Sequence, residues 1–211
     1  MSDAVQTLLE NGLKELKLSV ESEPLLNFLA LLSKWNKAYN LTAIRSLPEM
    51  VTKHILDSLA ILPYLHGDTL LDIGSGAGLP GIPLAIACQN KQFVLLDSNG
   101  KKTRFMQTVR RELGLKNIEI VQSRVESYHP GQTFATVMSR AFANLKQMIA
   151  LSEHLVSEKG IWLAMKGHVP TAELAEITEP WQVHSYKVPD LDSERCVIVI
   201  NHSSRNESWL K

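Results

Sequence analysis

The sequence predicts an α/β fold, with a mostly parallel sheet of seven strands covered by helices on both faces and a helical extension before it. Two patterns support this prediction. Over the first 65 residues, apolar side chains recur at the three- and four-residue spacing of amphipathic helices. From Thr69 onward, short apolar runs alternate with helical stretches, which is typical of strands joined by crossover helices. We therefore expect a helical extension over residues 1–65, packed on the core, and a ligand-binding domain over residues 66–211.

Three helices are expected in the extension. The clearest has apolar residues at helical spacing and is expected to bury all of them: Leu25, Phe28, Leu29, Leu32, Trp35 and Tyr39. The next begins with Ser46 and Glu49, which have capping-box spacing, and continues to about Pro63. A shorter helix over VQTLLENGLKEL precedes both.

In the domain, expected strands alternate with helices, except that the third strand is followed directly by the fourth. The strands, in chain order, are TLLDI, FVLLD, NIEIVQ, ATVMSR and GIWLAMK. The helices are expected from Pro80 to Cys88, over KKTRFMQTVRREL, from about Asn144 to Val156, and over TAELAEI. The last two strands, WQVHSYKV and ERCVIVIN, are separated only by a loop, so we expect an antiparallel pair at the edge of the sheet.

Composition limits the possible functions. Lys+Arg and Asp+Glu are equal at 22 each, so a nucleic-acid partner would require basic residues concentrated on one face. The two cysteines, Cys88 and Cys196, show no C-x-x-C pairing, and we expect neither a disulfide framework nor a metal site. No segment reaches the roughly 18 apolar residues of a membrane span, and the N-terminus does not resemble a signal peptide. We expect a cytoplasmic monomer that makes no membrane contact.

A glycine-rich turn follows the first strand. Gly74, Gly76 and Gly78 occupy the strand-to-helix turn where open α/β sheets usually bind a ligand. Their spacing is G-x-G-x-G, and Leu79 stands where the dinucleotide fingerprint requires Gly or Ala. Pro80 also removes an N–H donor from the first helical turn, where a pyrophosphate would bind. The turn is therefore predicted to approach a ligand less charged than a pyrophosphate.

Polar residues follow the second and third strands. Asp97 lies about 20 residues beyond the glycine turn, where a carboxylate typically binds ribose hydroxyls, so it and Ser98 are candidates for contact with an adenosine. The alternative for Asp97 is to cap the next helix, a role that Ser98 or Asn99 fills equally well. Val125 and Glu126 follow the third strand on the same rim. Glu126 is a candidate for the adenine edge or, alternatively, a solvated loop charge.

The motifs of the chain resemble a known family. LDIGSGAG is similar to the first motif of class I S-adenosylmethionine (AdoMet) methyltransferases. WNKAYNLT, KHILDSLA, GSGAGLPGIPLAI, LLDSNGKK, SRVE, SRAF and MKG occur in the order typical of the bacterial 16S rRNA guanine-N7 methyltransferases, the glucose-inhibited division protein B family, over roughly residues 25 to 200.

The resemblance implies a Rossmann-like class I methyltransferase fold with AdoMet as methyl donor and no metal. It implies as acceptor a guanine in a hairpin loop of 16S rRNA, either free or in the small ribosomal subunit or its precursor. The cofactor-binding positions that match the family are Gly74, Leu79, Val125, Glu126 and Arg140. The family assigns no general base.

The residues are compatible with this chemistry. Cys88 falls within the helix after the glycine turn, which disfavours C5 methylation through a thiolate adduct. SRAF, at the end of the fourth strand, lacks the Asn/Asp-Pro-Pro-aromatic motif that amine methyltransferases carry. Guanine N7 has an unprotonated lone pair and needs no general base, so catalysis would depend on alignment of N7 with the methyl group.

Several basic and aromatic residues are candidates for contact with RNA or AdoMet. The basic residues expected at the active rim, or alternatively solvated, are Lys101, Lys102, Arg104, Arg124, Lys166 and Arg195. Arg140 is expected to face the AdoMet carboxylate or an RNA phosphate, with a structural ion pair as the alternative. Phe142 is a candidate to stack on a splayed base. His54, one turn from Asp57, is expected to be a buried, hydrogen-bonded histidine.

Three other functions are left open by the residues alone. One is AdoMet-dependent methylation of a different base or of a small molecule. Another is a sensor or assembly factor that binds AdoMet or RNA without chemistry. The third is an NAD-dependent oxidoreductase, which a comparison of NADH and AdoMet binding would distinguish.

Overall fold

The computed structural model describes residues 2–202, which form one seven-stranded sheet with helices on both faces. The strands are β1 (Thr69–Ile73), β2 (Gln92–Asp97), β3 (Ile118–Gln122), β4 (Phe134–Arg140), β5 (Val156–Lys166), β6 (Trp181–Ser185) and β7 (Cys196–Asn201). Their order across the sheet is β3-β2-β1-β4-β5-β7-β6. Pairs among β1 to β5 are parallel, whereas β7 is antiparallel to both β5 and β6. The predicted fold class is confirmed.

The helices follow the predicted order, and those after β1, β4 and β5 are shorter than predicted. They are α1 (Asp3–Glu15), α2 (Ser22–Tyr39), α3 (Leu47–Met50), α4 (Asp57–Leu59), α5 (Gly81–Ala87), α6 (Gly100–Glu112), α7 (Leu145–Ser152) and α8 (Thr171–Leu174). The helix predicted from Ser46 to Pro63 is interrupted, because a π-helical segment, Val51–Leu56, lies between α3 and α4. The Ser46 side chain makes no capping hydrogen bond, so the predicted capping box is wrong.

The order of the strands reverses direction between β1 and β4, and we refer to the region outside the carboxyl ends of these two strands as the crevice. From β1 the chain moves outward through β2 and β3, and β4 then returns to the other side of β1. In such sheets the ligand binds outside the carboxyl ends of the two strands where the direction reverses. The glycine turn predicted from the sequence follows β1 and therefore lies at this position.

Two apolar clusters cover the two faces of the sheet. Neighbouring strand residues alternate between them: Leu70 belongs to one cluster and Leu71 to the other. The cluster of Leu70 also contains residues from α1, α2, the π-helical segment, α5 and α6, including the fully buried Phe28 and Phe105. The extension is therefore packed on the same face as α5 and α6 and shares one apolar cluster with them. The boundary after residue 65 stays a prediction.

Two residues of the extension, His54 and Tyr39, differ in burial. His54 is buried as predicted: its Nδ1 lies 3.1 Å from the carbonyl oxygen of Lys53 and its Nε2 lies 2.9 Å from the Thr42 hydroxyl. A carbonyl can only accept, so Nδ1 carries the proton and Nε2 accepts from Thr42. Burial lowers the pKa of His54 to about 4, so the ring is neutral. Tyr39, in contrast, is 47% exposed, and its predicted place in the core is wrong because α2 ends there.

Asn117 ties the end of α5 to β3. Its side-chain Nδ2 lies 3.0 Å from the carbonyl oxygen of Ala85 and 3.2 Å from those of Cys88 and Lys91. These carbonyls belong to the end of α5 and the loop after it, where helix geometry leaves acceptors without partners. Asn117 itself is 7% exposed. The amide therefore donates to the backbone acceptors at this helix end, of which the Cys88 carbonyl also accepts the N–H of Lys91 at 3.1 Å.

We expect Asn117→Ala to lower the free energy of unfolding by about 1–3 kcal/mol, because buried carbonyl groups lose their donor. The measurement is the midpoint of urea unfolding. Lys116→Ala is the matched control, since it removes the exposed neighbouring side chain and should leave the midpoint unchanged. Equal midpoints for the two variants would contradict this role of Asn117.

Candidate functional site

The turn after β1 contains three glycines in the left-handed backbone region. The φ angles of Gly74, Gly76 and Gly78 are 67°, 60° and 78°. Between them, the Ser75 N–H donates to the carbonyl of Leu96 at 3.1 Å, which fastens the turn to the end of β2. A side chain is strained in this backbone region, so the sequence G-x-G-x-G is what allows so tight a turn.

The three glycines differ in what a side chain would meet. A Cβ at Gly74 would lie 2.7 Å from the ring of Phe142, and one at Gly78 would collide with Ile82. A Cβ at Gly76 would meet nothing closer than the Gly74 carbonyl oxygen, at 3.8 Å. Packing within the protein thus accounts for the absence of a side chain at Gly74 and Gly78. Gly76 instead faces open space at the rim of the crevice.

Asp97, at the end of β2, fixes the backbone at Gly76. One carboxylate oxygen accepts the Gly76 N–H at 2.9 Å and the other accepts the Asn99 N–H at 2.8 Å. Asp97 does not cap α6: that position belongs to Asn99, whose side chain accepts the N–H of Lys101 at 2.9 Å. The carboxylate is buried, with Ser98 exposed next to it. Contact of Asp97 and Ser98 with a ribose stays a prediction.

A second carboxylate, which the sequence reasoning missed, lies beneath the turn. Asp72 in β1 is fully buried, and one of its oxygens accepts the N–H of Gly81 at 3.0 Å. Its other oxygen has no hydrogen-bond partner within residues 2–202. Burial raises the pKa of Asp72 to about 7, against the opposing effects of the Gly81 hydrogen bond and the charge of Arg140. The signal in the sequence was an acid inside the apolar run TLLDI.

Asp72 also determines what the start of α5 can bind. Pro80 has no N–H, and the next donor, that of Gly81, points inward to Asp72. The N–H of Ile82 donates back to the carbonyl of Gly78 at 2.7 Å. The first helical turn therefore keeps these donors for the protein itself, in agreement with the expectation that it is not a pyrophosphate cradle.

At the end of β4, Arg140 is bound to the helical extension. Its guanidinium lies 3.6 Å from Asp57 in α4 and donates to the carbonyl of Lys53 at 3.1 Å. Asp57 also accepts from Arg195 and from the hydroxyl of Tyr186, each at 3.2 Å. This is the structural ion pair that the sequence left open for Arg140. Contact of Arg140 with the AdoMet carboxylate stays a prediction.

In the Asp57 cluster, composed of Asp57, Arg140, Tyr186 and Arg195, the carboxylate is buried and the other three side chains are partly buried. Burial raises the pKa of Asp57, and the two guanidinium groups oppose that shift. Burial lowers the pKa of Arg140, and the charge of Asp57 opposes it. Burial and the charge of Asp57 raise the pKa of Tyr186, which keeps its hydroxyl protonated as a donor. Three separate parts of the chain, α4, β4 and the segment around β6 and β7, are thus held at one carboxylate.

The remaining predicted cofactor residues lie at the same edge of the sheet. Val125 is buried and Glu126 exposed in a short 3-10 turn after β3. Leu79 is buried in the apolar cluster beneath the turn, so its side chain serves packing. Phe142 is half-buried after β4, with its ring against Gly74. The structure therefore places the carboxyl ends of β1 to β4 and their predicted residues around one crevice.

The six basic residues predicted to contact RNA divide into two groups. Lys101, Arg104 and Arg124 are exposed, and none forms an ion pair within residues 2–202. The others are paired with carboxylates: Lys102 lies 3.7 Å from Asp97, Lys166 lies 2.9 Å from Glu173, and Arg195 belongs to the Asp57 cluster. The structure thus leaves the first three free to meet a phosphate and engages the other three internally.

No group of three or more His, Cys, Asp or Glu side chains in residues 2–202 is arranged to hold a metal ion. Within that part of the chain, no helix has the length and apolar character needed to cross a membrane.

The fold is similar to those of solved methyltransferases. Magnesium protoporphyrin IX methyltransferase from Synechocystis PCC 6803, solved with bound SAM, matches with a TM-score of 0.56 at 10% identity, covering 82% of this chain and 96% of that one. A SAM-dependent methyltransferase from Aquifex aeolicus matches with a TM-score of 0.55 at 15% identity, covering 73% and 93%. At these identities the likeness concerns the fold.

Relatives in sequence are much closer. Ribosomal RNA small subunit methyltransferase G from Legionella pneumophila strain Philadelphia 1 is 56% identical over 201 residues, covering 95% of this chain and 97% of that protein. The protein of the same name from Marinobacter nauticus is 48% identical over 204 residues, covering 94% and 95%. The family model GidB, described as rRNA small subunit methyltransferase G, matches residues 21–197. The resemblance inferred from the motifs is confirmed, and the chain belongs to the GidB family.

Proposed function

We propose that this chain transfers a methyl group from AdoMet to N7 of a guanine in 16S rRNA. Membership of the GidB family and the names of the relatives support an rRNA substrate. One structural observation carries the assignment of the cofactor site: Gly76 is held in a left-handed conformation by Asp97, and the place of its missing side chain is open space at the switch point of the sheet.

The residues present fit AdoMet. The bare backbone at Gly76 allows the ligand to approach closely, and Asp97 with Ser98 would bind the ribose hydroxyls. Val125 and Glu126 would flank the adenine, and Arg140, whose charge acts on Asp72 beneath the turn, would face the ligand carboxylate. AdoMet supplies an activated methyl group on a sulfonium. The protein's part is to bind it, exclude water around it and orient the acceptor.

Positioning is sufficient for this reaction. Guanine N7 attacks through a lone pair that carries no proton, so no side chain has to remove one. Holding the two reactants in line can contribute up to about 7–11 kcal/mol of barrier reduction. The purine becomes positive as it accepts the methyl group, so an uncompensated cation beside it would oppose the reaction. Arg140 would be such a cation, and Asp57, 3.6 Å away, compensates its charge.

The acceptor is proposed to be 16S rRNA, free or within the small ribosomal subunit or its precursor, and the enzyme is proposed to act as a monomer in the cytoplasm. The deciding experiment is transfer of labelled methyl from AdoMet to undermethylated 16S rRNA and to small subunits, followed by nucleoside analysis. We expect labelled 7-methylguanosine. Binding of AdoMet and RNA without incorporation would favour a sensor, a different labelled nucleoside would favour methylation of another base, and preferential binding of NADH would favour an oxidoreductase.

Gly76→Ala is expected to abolish AdoMet binding, because its new methyl group would occupy the space assigned to the ligand. Gly131→Ala is a matched control: Gly131 has a φ of 71°, and a Cβ there meets nothing within 4 Å. Both variants carry the same backbone strain, roughly 1–2 kcal/mol, and should unfold at similar temperatures. Only Gly76→Ala should lose affinity in calorimetric titration with AdoMet. Equal AdoMet affinities of the two variants would show that AdoMet does not bind at this turn.

Asp97→Ala is expected to weaken AdoMet binding by 1.5–3 kcal/mol, about 10- to 150-fold in Kd, the range for a hydrogen bond to a charged group. Asp68→Ala, which removes an exposed carboxylate before β1, is the control and should bind normally. A 2′-deoxy analogue of S-adenosylhomocysteine distinguishes ribose contact from support of the turn. If Asp97 binds that hydroxyl, the wild type should bind the 2′-deoxy analogue more weakly than S-adenosylhomocysteine, whereas Asp97→Ala should bind the two equally. If the effects of the substitution and of the missing hydroxyl on affinity are additive, Asp97 supports the turn and does not bind the ribose.

A further inference from the structure

Tyr39 is an exposed aromatic residue at the end of α2. Its exposed fraction is 47%, and among large apolar side chains in residues 2–202 only Val169 and Trp181 are similarly exposed, at 43% each. It follows apolar residues at helical spacing, yet α2 ends at Tyr39 and the chain turns away through Asn40 at a φ of 50°. The ring is therefore presented at the surface and does not contribute to the core.

Two further aromatic rings support Tyr39 from below. Its ring packs on that of Trp35, with centroids 5.1 Å apart and 32° between the planes. The Trp35 ring packs in turn on Phe105 of α6, with centroids 5.6 Å apart. Phe105 is fully buried. This row of rings runs from the core to the surface and fixes Tyr39 relative to α6, so that little conformational freedom is left to lose on binding.

The two segments joined by these rings are strongly basic. Residues 34–45 and residues 100–111 contain no Asp or Glu, and their cations are Lys34, Lys37, Arg45, Lys101, Lys102, Arg104, Arg110 and Arg111. The chain as a whole has equal numbers of basic and acidic residues. Cations concentrated around an exposed aromatic ring are typical of surfaces that bind unpaired nucleic acid.

The cations of α6 are arranged along one side of the helix. Lys101, Arg104 and Arg111 are exposed and spaced by three and seven residues, which places them on a common face. Arg111 lies 3.0 Å from the carboxylate of Glu112, so the unpaired part of this face is Lys101 and Arg104. From Lys101 to Arg111 the helix rises about 15 Å. This row of cations begins two residues after the cap residue Asn99, near Asp97, and extends away from the glycine turn.

Tyr39 lies toward the same edge of the sheet as that turn. Thr42, three residues later, is 2.9 Å from the ring of His54, and Arg140 donates to the carbonyl of the residue before His54. Arg140 ends β4, as Asp97 ends β2. The aromatic row, the start of the row of cations and the proposed cofactor crevice are thus placed at one end of the molecule.

We propose that Tyr39 stacks on an unpaired RNA base while Lys101 and Arg104 contact the phosphates next to it. The identity of the RNA rests on the proposed function. The base held by Tyr39 is a neighbour of the target guanine, because the target itself must enter the crevice at Gly76. Recognition of RNA loops depends on bases that can be splayed out and stacked on aromatic side chains.

The test is the affinity of Tyr39 variants for 16S rRNA transcribed in vitro, measured by filter binding without AdoMet. Tyr39→Ala should bind roughly 5- to 150-fold more weakly, the range for loss of one base–aromatic stack, with unchanged AdoMet affinity and thermal unfolding. Tyr39→Phe keeps the ring and should bind as the wild type does. Trp181→Ala, which removes an equally exposed aromatic residue on β6, should also leave RNA affinity unchanged.

Wild-type affinity of Tyr39→Ala would overturn the proposal, as would an equal loss in Tyr39→Phe. A defect of Tyr39→Ala confined to assembled small subunits would indicate contact with a ribosomal protein and would also overturn it. Lys101→Ala and Arg104→Ala provide a test that does not depend on Tyr39: each should flatten the log–log salt dependence of RNA binding by about one unit, and an unchanged slope contradicts the phosphate contacts. Absence of methyl transfer by the wild type would contradict the proposed function alone.

Discussion

Two buried carboxylates fix the turn on which the crevice depends. Asp97 binds the N–H of Gly76 from the side, and Asp72 binds the N–H of Gly81 from below. Removing a carboxylate from water is unfavourable unless the charge is hydrogen-bonded, and here the donors are backbone groups that also need acceptors. The compensation is complete at Asp97, whose two oxygens both accept backbone N–H groups, and partial at Asp72, where one oxygen does and burial raises the pKa to about 7. It holds a backbone with positive φ angles in one shape while leaving the outer side of Gly76 uncovered.

The Asp57 cluster holds the residues on the other side of the crevice in place. A carboxylate from the extension binds two arginines and a tyrosine from β4 and from the segments next to β6 and β7. Deleting one member of such a cluster leaves buried charge without a partner, which is strongly destabilising. The extension is therefore part of the architecture that positions Arg140. The same helices share the apolar core on one face of the sheet.

The sequence predicted the features that depend on local pattern. Alternating periodicities predicted the fold class and the antiparallel pair at the edge of the sheet, and the glycine spacing predicted the turn after β1. Features that depend on distant partners were not predictable. Lys166 was predicted to contact RNA, but it forms an ion pair with Glu173 from α8. Tyr39 fitted the helical stripe of the core, yet the helix ends at that residue and leaves it exposed. Asp72 and Asn117 could have been noticed as polar residues within apolar surroundings, although their acceptor and donor partners could not.

The position of β4 beside β1 has a consequence for biosynthesis. Leu70 pairs with Thr136, so the two central strands are brought together across a long stretch of chain that contains β2 and β3. Contacts between such distant residues form slowly, because a large loop must close first. On the ribosome, the extension, β1, β2, β3, α5 and α6 can associate on their common face before β4 has been translated. The half of the molecule with the glycine turn is then expected to be ordered first, and its open strand edge to wait for the nascent C-terminal half.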